Sequence, residues 1–273
     1  MAQPSNLTLR LATAAVCTPL ILLLLYRGPA WGFFLLVFPA VVIGTWEFFS
    51  MTHAGDRVSQ GVGVVLGAIT SLALYFGSHD ARTVVTLLVA LPLLGPLVTL
   101  VLLGSIETAA LRAFAMGFGP LFVAGPLTLL ALLRTDMGAE GASYVVMTMM
   151  FAWWGDTGGY FAGRFLGKRK LYPAVSPKKT VEGSIGGLAG SILGALCAHF
   201  WYLPTIPLLN AVVLAIVSGA LGQAGDLSES LIKRSTGVKD SGQIVPGHGG
   251  ILDRVDALLV TSVIVFLYTL WIR

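Results

Sequence analysis

The chain has 273 residues, 56% of them hydrophobic and only 11% charged, with a formal net charge of +4 and a mean hydropathy of +0.85. Soluble globular domains carry roughly 25% charged residues, so a water-soluble core is excluded. No extended basic surface exists outside two short polar segments, which sets aside a nucleic-acid partner. Cys17 and Cys197 are the only cysteines and both fall in apolar stretches, without disulfide or zinc spacing.

Apolar runs of membrane-spanning length recur from end to end. They predict spans near residues 9–26, 30–49, 61–76, 84–103, 111–133, 142–165, 184–203, 207–227 and 251–272. The fold class is therefore all-α, a polytopic integral membrane helical bundle of about nine transmembrane helices. Arg10 before the first run is what a signal peptide would show. No small-residue cleavage site follows and further spans come directly after, so it reads as a retained first helix. The third run is short and can be read as a half-span.

Lysine and arginine set the orientation. The loop after the sixth span carries Arg164, Lys168, Arg169, Lys170, Lys178 and Lys179, and the loop after the eighth carries Lys233, Arg234 and Lys239. Two spans separate these loops, so both face one side, the cytoplasm, and counting back puts the N-terminus inside. Residues 1–135 are almost purely apolar, with Glu47 the one acidic group expected inside a span. They form an N-terminal scaffold, and residues 136–273 a C-terminal bundle that carries the polar motifs.

The seventh span opens with Gly186, Gly190, Gly194 and Ala198 at every fourth position. That spacing makes one smooth face for close helix approach, within the protomer or in a homodimer; direct substrate contact is the alternative.

The first polar motif lies around the sixth span and the loop after it. Asp156 sits inside an apolar run and needs a partner, a cation or a metal. Ser176, Lys178, Lys179 and Thr180 lead into a helix with Glu182 near its first turn. A basic loop drawn to anionic lipid is the plainer reading of this segment. Trp153 and Trp154 are interfacial anchors.

The second motif runs through the end of the eighth span and the start of the ninth. Asp226, Ser230 and Arg234 share one helix face, as do Glu229 and Lys233. Asp253 and Asp256 stand three apart on the ninth span. These two helices are antiparallel with both polar ends cytoplasmic, so Asp226 and Asp253 are expected at similar depth, an oxygen-rich site suited to Mg²⁺. A buried network joining Asp253 or Asp256 to Arg234 or Arg254 is the structural alternative. Between the helices, Lys233, Arg234 and Lys239 can neutralise phosphate charge. Gly247, Gly249 and Gly250 let backbone amides approach an anion. His248 can donate to a phosphate, act as acid or base, or simply support the turn.

Together these residues resemble the signature of the phosphatidate cytidylyltransferases, also called CDP-diacylglycerol synthases. The resemblance is carried by Ser230 to Arg234, Lys239 and Asp240, and the run from Pro246 through His248, Asp253 and Arg254 to Asp256. Asp156, the Ser176 to Gly183 segment, Gly225 and Asp226 add to it. It covers roughly residues 140–260, and the N-terminal half matches only in being hydrophobic. Gly159, where alanine is expected, and Val181, where tryptophan is common, depart from the pattern without touching a charged position.

The resemblance implies that CTP and phosphatidic acid give CDP-diacylglycerol and pyrophosphate at the inner membrane of a bacterium, with Mg²⁺ required and room for a second cation. On that reading Asp226 and Asp253 are the first metal ligands, with Asp256 and Asp156 behind them. Lys233, Arg234, Lys239 and His248 hold the nucleotide phosphates. Ser176, Lys178, Lys179 and Arg164 take the lipid head group or share the triphosphate, and Asp240, Gly247, Gly249, Gly250 and Arg254 complete the binding loop. A CTP-dependent lipid kinase or a polyprenyl-phosphate nucleotidyltransferase would need similar charges and is separated by its products. A secondary transporter would need charges near the bilayer midplane and an internal repeat, and the sequence shows neither.

Overall fold

The computed structural model describes residues 6–244 and 249–273, with the side chains of residues 6–14, 16 and 17 outside the description. The chain divides into two compact units, Met1–Thr135 with Asp240–Arg254, and Asp136–Lys239 with Val255–Arg273. The described residues form nine α-helices and one short hairpin. This is an integral membrane protein built almost wholly of helices.

The first unit holds α1 (Asn6–Arg27), α2 (Ala30–Thr52), α3 (Arg57–Gly77), α4 (Ala81–Val101) and α5 (Ala109–Asp136). Short polar turns start α3 and α4. Asp56 caps α3 by accepting from the Ser59 amide at 3.0 Å, and Asp80 caps α4 by accepting from the Arg82 amide at 3.1 Å. Prolines 39, 92, 96, 120 and 126 lie inside helices, as membrane helices tolerate when neighbours satisfy the freed backbone groups. Lipid tails are as apolar as leucine, so packing shape decides which faces meet. α4 shows this plainly. Only Leu91, Gly95 and Thr99, one stripe at every fourth residue, are buried, while Leu88, Leu93, Leu97 and Leu100 are exposed on its outer face. α2 is well enclosed, with Phe33, Phe34, Val41, Phe48 and Phe49 buried. The Phe34 and Tyr75 rings stack at 3.8 Å, and the Ser71 and Thr128 hydroxyls bond at 2.7 Å, joining α3 to α2 and to α5.

The second unit holds α6 (Gly141–Phe165), a hairpin of β1 (Lys170–Tyr172) and β2 (Ser176–Thr180), α7 (Val181–Cys197) with a π-helical turn at Ala198–Tyr202, α8 (Leu208–Ser235), and α9 (Leu252–Trp271) from Val255 onward. β1 and β2 are antiparallel, with Lys170 opposite Thr180 and Tyr172 opposite Ser176. The glycine face predicted on α7 packs against α6. An added Cβ at Gly190 would collide with the Trp154 carbonyl, one at Gly158 with the Gly186 carbonyl, and one at Gly186 with Ala162. Close packing within the protomer is what these glycines serve.

Nine helices were expected from the apolar runs, and among the described residues seven are long and apolar enough to cross a membrane. α6 is 25 residues long, but the run Gly155, Asp156, Thr157, Gly158 and Gly159 breaks its apolar character. α3, read as a half-span, is a helix of 21 residues, about 32 Å at 1.5 Å per residue and enough for a full crossing. The hairpin was not foreseen. Its strands are too short and too basic to show an alternating pattern, and neighbouring groups hold it instead. The Glu182 carboxylate accepts from the Lys168 amide at 3.0 Å and the Arg169 amide at 3.2 Å, and the Val181 amide donates to the Arg169 carbonyl at 2.9 Å.

Candidate active site

In the second unit, glycines leave space where side chains would otherwise meet. Gly155, Gly159 and Gly163 recur every fourth residue on α6 and face Gly183 and Gly187 on α7. All five line a cavity of about 410 Å³. The volume falls in the range of small-molecule sites. The cavity walls are charged, with Asp156, Arg164, Lys178, Lys179 and Asp226 lining it beside Tyr160, Leu171, Thr180, Ser184 and Gln223.

Local contacts place several of the charged groups. Thr180 ends β2 and caps α7, its hydroxyl accepting from the Gly183 amide at 3.1 Å. This fixes where the strand hands over to the helix, and so where Lys178 and Lys179 stand. The Lys179 ammonium pairs with the Asp226 carboxylate on α8, joining the two polar motifs of the C-terminal half. The two side chains are 27% and 23% exposed as wholes, while Lys179 Nζ itself is buried against its partner. Arg164 donates to the Tyr160 hydroxyl at 2.6 Å, one helical turn back on α6. Gln223 locks α8 to α7, its amide donating to the Ser184 carbonyl at 3.1 Å and its oxygen accepting from the Ser184 hydroxyl.

Further carboxylates gather behind the cavity. Asp256 on α9 lies within electrostatic reach of Asp226, Glu229 and Asp156. Glu229 is buried and pairs with buried Lys233 at 3.0 Å, as their spacing on one helix face suggested. Arg234 is exposed and donates to the Val238 carbonyl at 2.9 Å, which shapes the turn after α8. Lys239 is exposed. Lys233, Arg234, Lys239 and Ser176 do not line the cavity.

The first unit holds the other half of the signature. Asp253 accepts through Oδ2 from the Ser241 and Gly250 amides, each at 2.9 Å. Gly249 has φ +83° and its Cβ position falls 2.7 Å from Asp253 Oδ2, so only glycine fits there. Asp240 and Arg254 are exposed. Gly247 and His248 lie outside the described residues. The feature that sequence reasoning missed is Glu47, buried in α2 at 2% exposure. Its carboxylate accepts from the Ile251 amide at 3.0 Å, the Leu252 amide at 2.8 Å and the Ser241 hydroxyl at 3.0 Å. The one available signal was an acidic residue inside an otherwise apolar span, without any hint of its partners.

The donor chemistry suits a hard divalent ion. Asp156 and Asp226 offer oxygen ligands to one cavity that also holds three cationic side chains. Among the described residues no three acidic, histidine or cysteine side chains form a closed metal centre. An open set is what Mg²⁺ takes, since it binds through one or two carboxylates and fills its shell with water and substrate phosphates.

The sequence profile of the Cytidylyltransferase family matches residues 8–272. The chain belongs to that family. Among curated relatives of this chain, the phosphatidate cytidylyltransferase of Bacillus subtilis is 45% identical over 135 residues, covering 50% of this chain and 49% of the relative. The protein of the same name from Staphylococcus saprophyticus is 46% identical over 121 residues, or 44% of this chain and 46% of the relative. The match thus spans about half the length of the curated relatives.

Proposed function

We propose that this cytidylyltransferase is a CTP:phosphatidate cytidylyltransferase of a bacterial cytoplasmic membrane, with its N-terminus and its active site on the cytoplasmic side. The observation that carries the reading is the cavity where Arg164, Lys178 and Lys179 face Asp156 and Asp226, in a chain of this family and at the polar ends of membrane helices. The similarity to relatives named phosphatidate cytidylyltransferase supplies the base and the lipid.

In the reaction a phosphate oxygen of the lipid attacks the α-phosphorus of CTP in line. A new P–O bond forms, the bond to the β-phosphate oxygen breaks, and pyrophosphate leaves with its electron pair. Both reactants are anions, so the barrier is chiefly repulsion and alignment. Lys178, Lys179 and Arg164 lower it by neutralising phosphate charge from fixed positions. Lys179 is held in the cavity by its pair with Asp226. The lipid phosphate is ionised near neutral pH, so no strong general base is required. Asp226 and Asp156, with Asp256 behind them, would hold Mg²⁺, which supplies charge neutralisation at the phosphates when bound.

The test is purified protein in detergent with labelled CTP and phosphatidic acid, with and without Mg²⁺. Pyrophosphate and a CDP-linked lipid are expected only with the metal. Release of CDP with a phosphorylated lipid would instead indicate a kinase.

A further inference from the structure

We propose that Glu47 is a positioning residue for the start of α9, whose first turn carries Asp253, an inference that rests on the functional reading above. An ionisable side chain buried in a membrane helix is costly and needs a compensating role. Glu47 stands in α2, in the part of the chain where the sequence shows no catalytic motif, yet its hydrogen bonds go to the signature segment some two hundred residues on. Ile251 and Leu252 provide two of the amides that open α9. Helix-opening amides have no acceptor within their own helix and carry partial positive charge. A carboxylate satisfies both at once.

The contact extends beyond a cap. The Ser241 hydroxyl donates to Glu47 Oε2 and accepts from the Asp253 amide at 3.3 Å, while the Ser241 amide donates to Asp253 Oδ2 at 2.9 Å. Glu47, Ser241 and Asp253 therefore form a closed clasp around the two ends of the loop. The packing admits nothing larger at its centre: a Cβ at Gly250 would collide with the Ser241 hydroxyl and with Glu47 Oε2, and one at Gly242 would come within 2.9 Å of the Glu47 carboxyl carbon. Among the described residues, two of the three donors to Glu47 are backbone amides. The acceptor thus fixes the path of the chain itself, and through it the direction in which α9 sets out with Asp253 and Arg254 in its first turn.

Glutamine in place of Glu47 keeps the shape but turns one acceptor into a donor that faces other donors. For Glu47→Gln in the full-length protein we expect kcat to fall roughly 10- to 100-fold, the size of one lost hydrogen bond to a charged group. KM for CTP should change much less. Amide hydrogen exchange should rise at residues 241 and 250–253 and stay as in the wild type elsewhere. Ser241→Ala, which cuts the link without touching the buried acid, should lower kcat in the same direction. The double variant should lose no more than the worse single variant, because both break one network. Wild-type kcat in folded Glu47→Gln and Ser241→Ala would overturn the proposal. So would exchange that rises uniformly through the chain, which marks a residue of general stability. If Glu47→Gln fails to fold, Ser241→Ala decides alone, by kcat and local exchange. A wild type that makes no CDP-linked lipid sinks the functional reading, and the exchange pattern still decides whether Glu47 holds the loop.

Discussion

The same substitution, glycine to alanine, should have opposite effects at two helical positions of this protein. At Gly190 the new methyl group would overlap the Trp154 carbonyl, backbone that no side-chain rotation can clear. α6 and α7 would have to part by about 1 Å to restore normal contact. Overpacking of this kind costs about 1–3 kcal/mol, against a gain of about 1 kcal/mol in helix propensity, a net loss of about 0–2 kcal/mol. At Gly61 in α3 nothing lies within 4 Å of the Cβ position, so only the gain remains, up to about 1 kcal/mol. Gly61→Ala should therefore melt above Gly190→Ala in detergent by roughly 3–10 °C. Function should separate the two further. Asp156 rides on α6, while Lys178 and Lys179 lead directly into α7. A shift near 1 Å between reacting partners can cost about 100-fold in rate, and Gly190→Ala should approach that loss while Gly61→Ala turns over normally. A Gly190→Ala protein as stable and as active as Gly61→Ala would refute the packing account of the cavity.

Lys179→Met leaves Asp226 without its ion-pair partner and removes a cation from the cavity. It should lower kcat/KM for CTP by about 100-fold or more, measured by steady-state kinetics on folded protein. Glu182→Gln withdraws charge from the acceptor of the Lys168 and Arg169 amides, so limited trypsin digestion should cut the basic hairpin faster than in the wild type, at unchanged rates elsewhere. Burial first, and the Arg112 charge second, hold His53 at a pKa of about 4 against the ordinary 6.5, with Asp56 opposing them. The unfolded chain then binds more protons than the folded one between these values. Stability should be level above pH 6.5 and fall as pH drops toward 4. Asp56 is itself held below the usual carboxylate range, so its own loss comes at lower pH. His53→Gln should flatten the melting-temperature profile between pH 6.5 and 4, and an unchanged slope would remove His53 as its source.

Much of the helical plan was legible because membrane spans announce themselves by length and apolarity. The glycines on α7 were legible too, since a four-residue repeat of small side chains leaves one obvious use for the face they make. α8 ran farther than its apolar stretch, to Ser235, because the Glu229–Lys233 pair one turn apart keeps a polar segment helical. The site was legible as two separate motifs, but their meeting through Lys179 and Asp226 was not, for a side-chain pair between distant segments leaves no local trace. The hairpin escaped notice for a related reason: its order comes from Glu182 and Val181, outside the strands. Glu47 was hardest. One acidic residue in an apolar run states that a partner is required, and only the fold reveals that the partners are the amides opening α9.

Asp226→Asn tests the central claim most directly. The change removes one negative charge from the cavity while keeping the side chain's size, so insertion and folding should persist, as judged by monodisperse elution and a melting temperature close to that of the wild type. The account predicts that release of pyrophosphate from CTP and phosphatidic acid falls to background in that protein. Turnover near the wild-type rate would contradict it, and would move the chemistry away from the cavity shared by Asp156, Lys179 and Asp226.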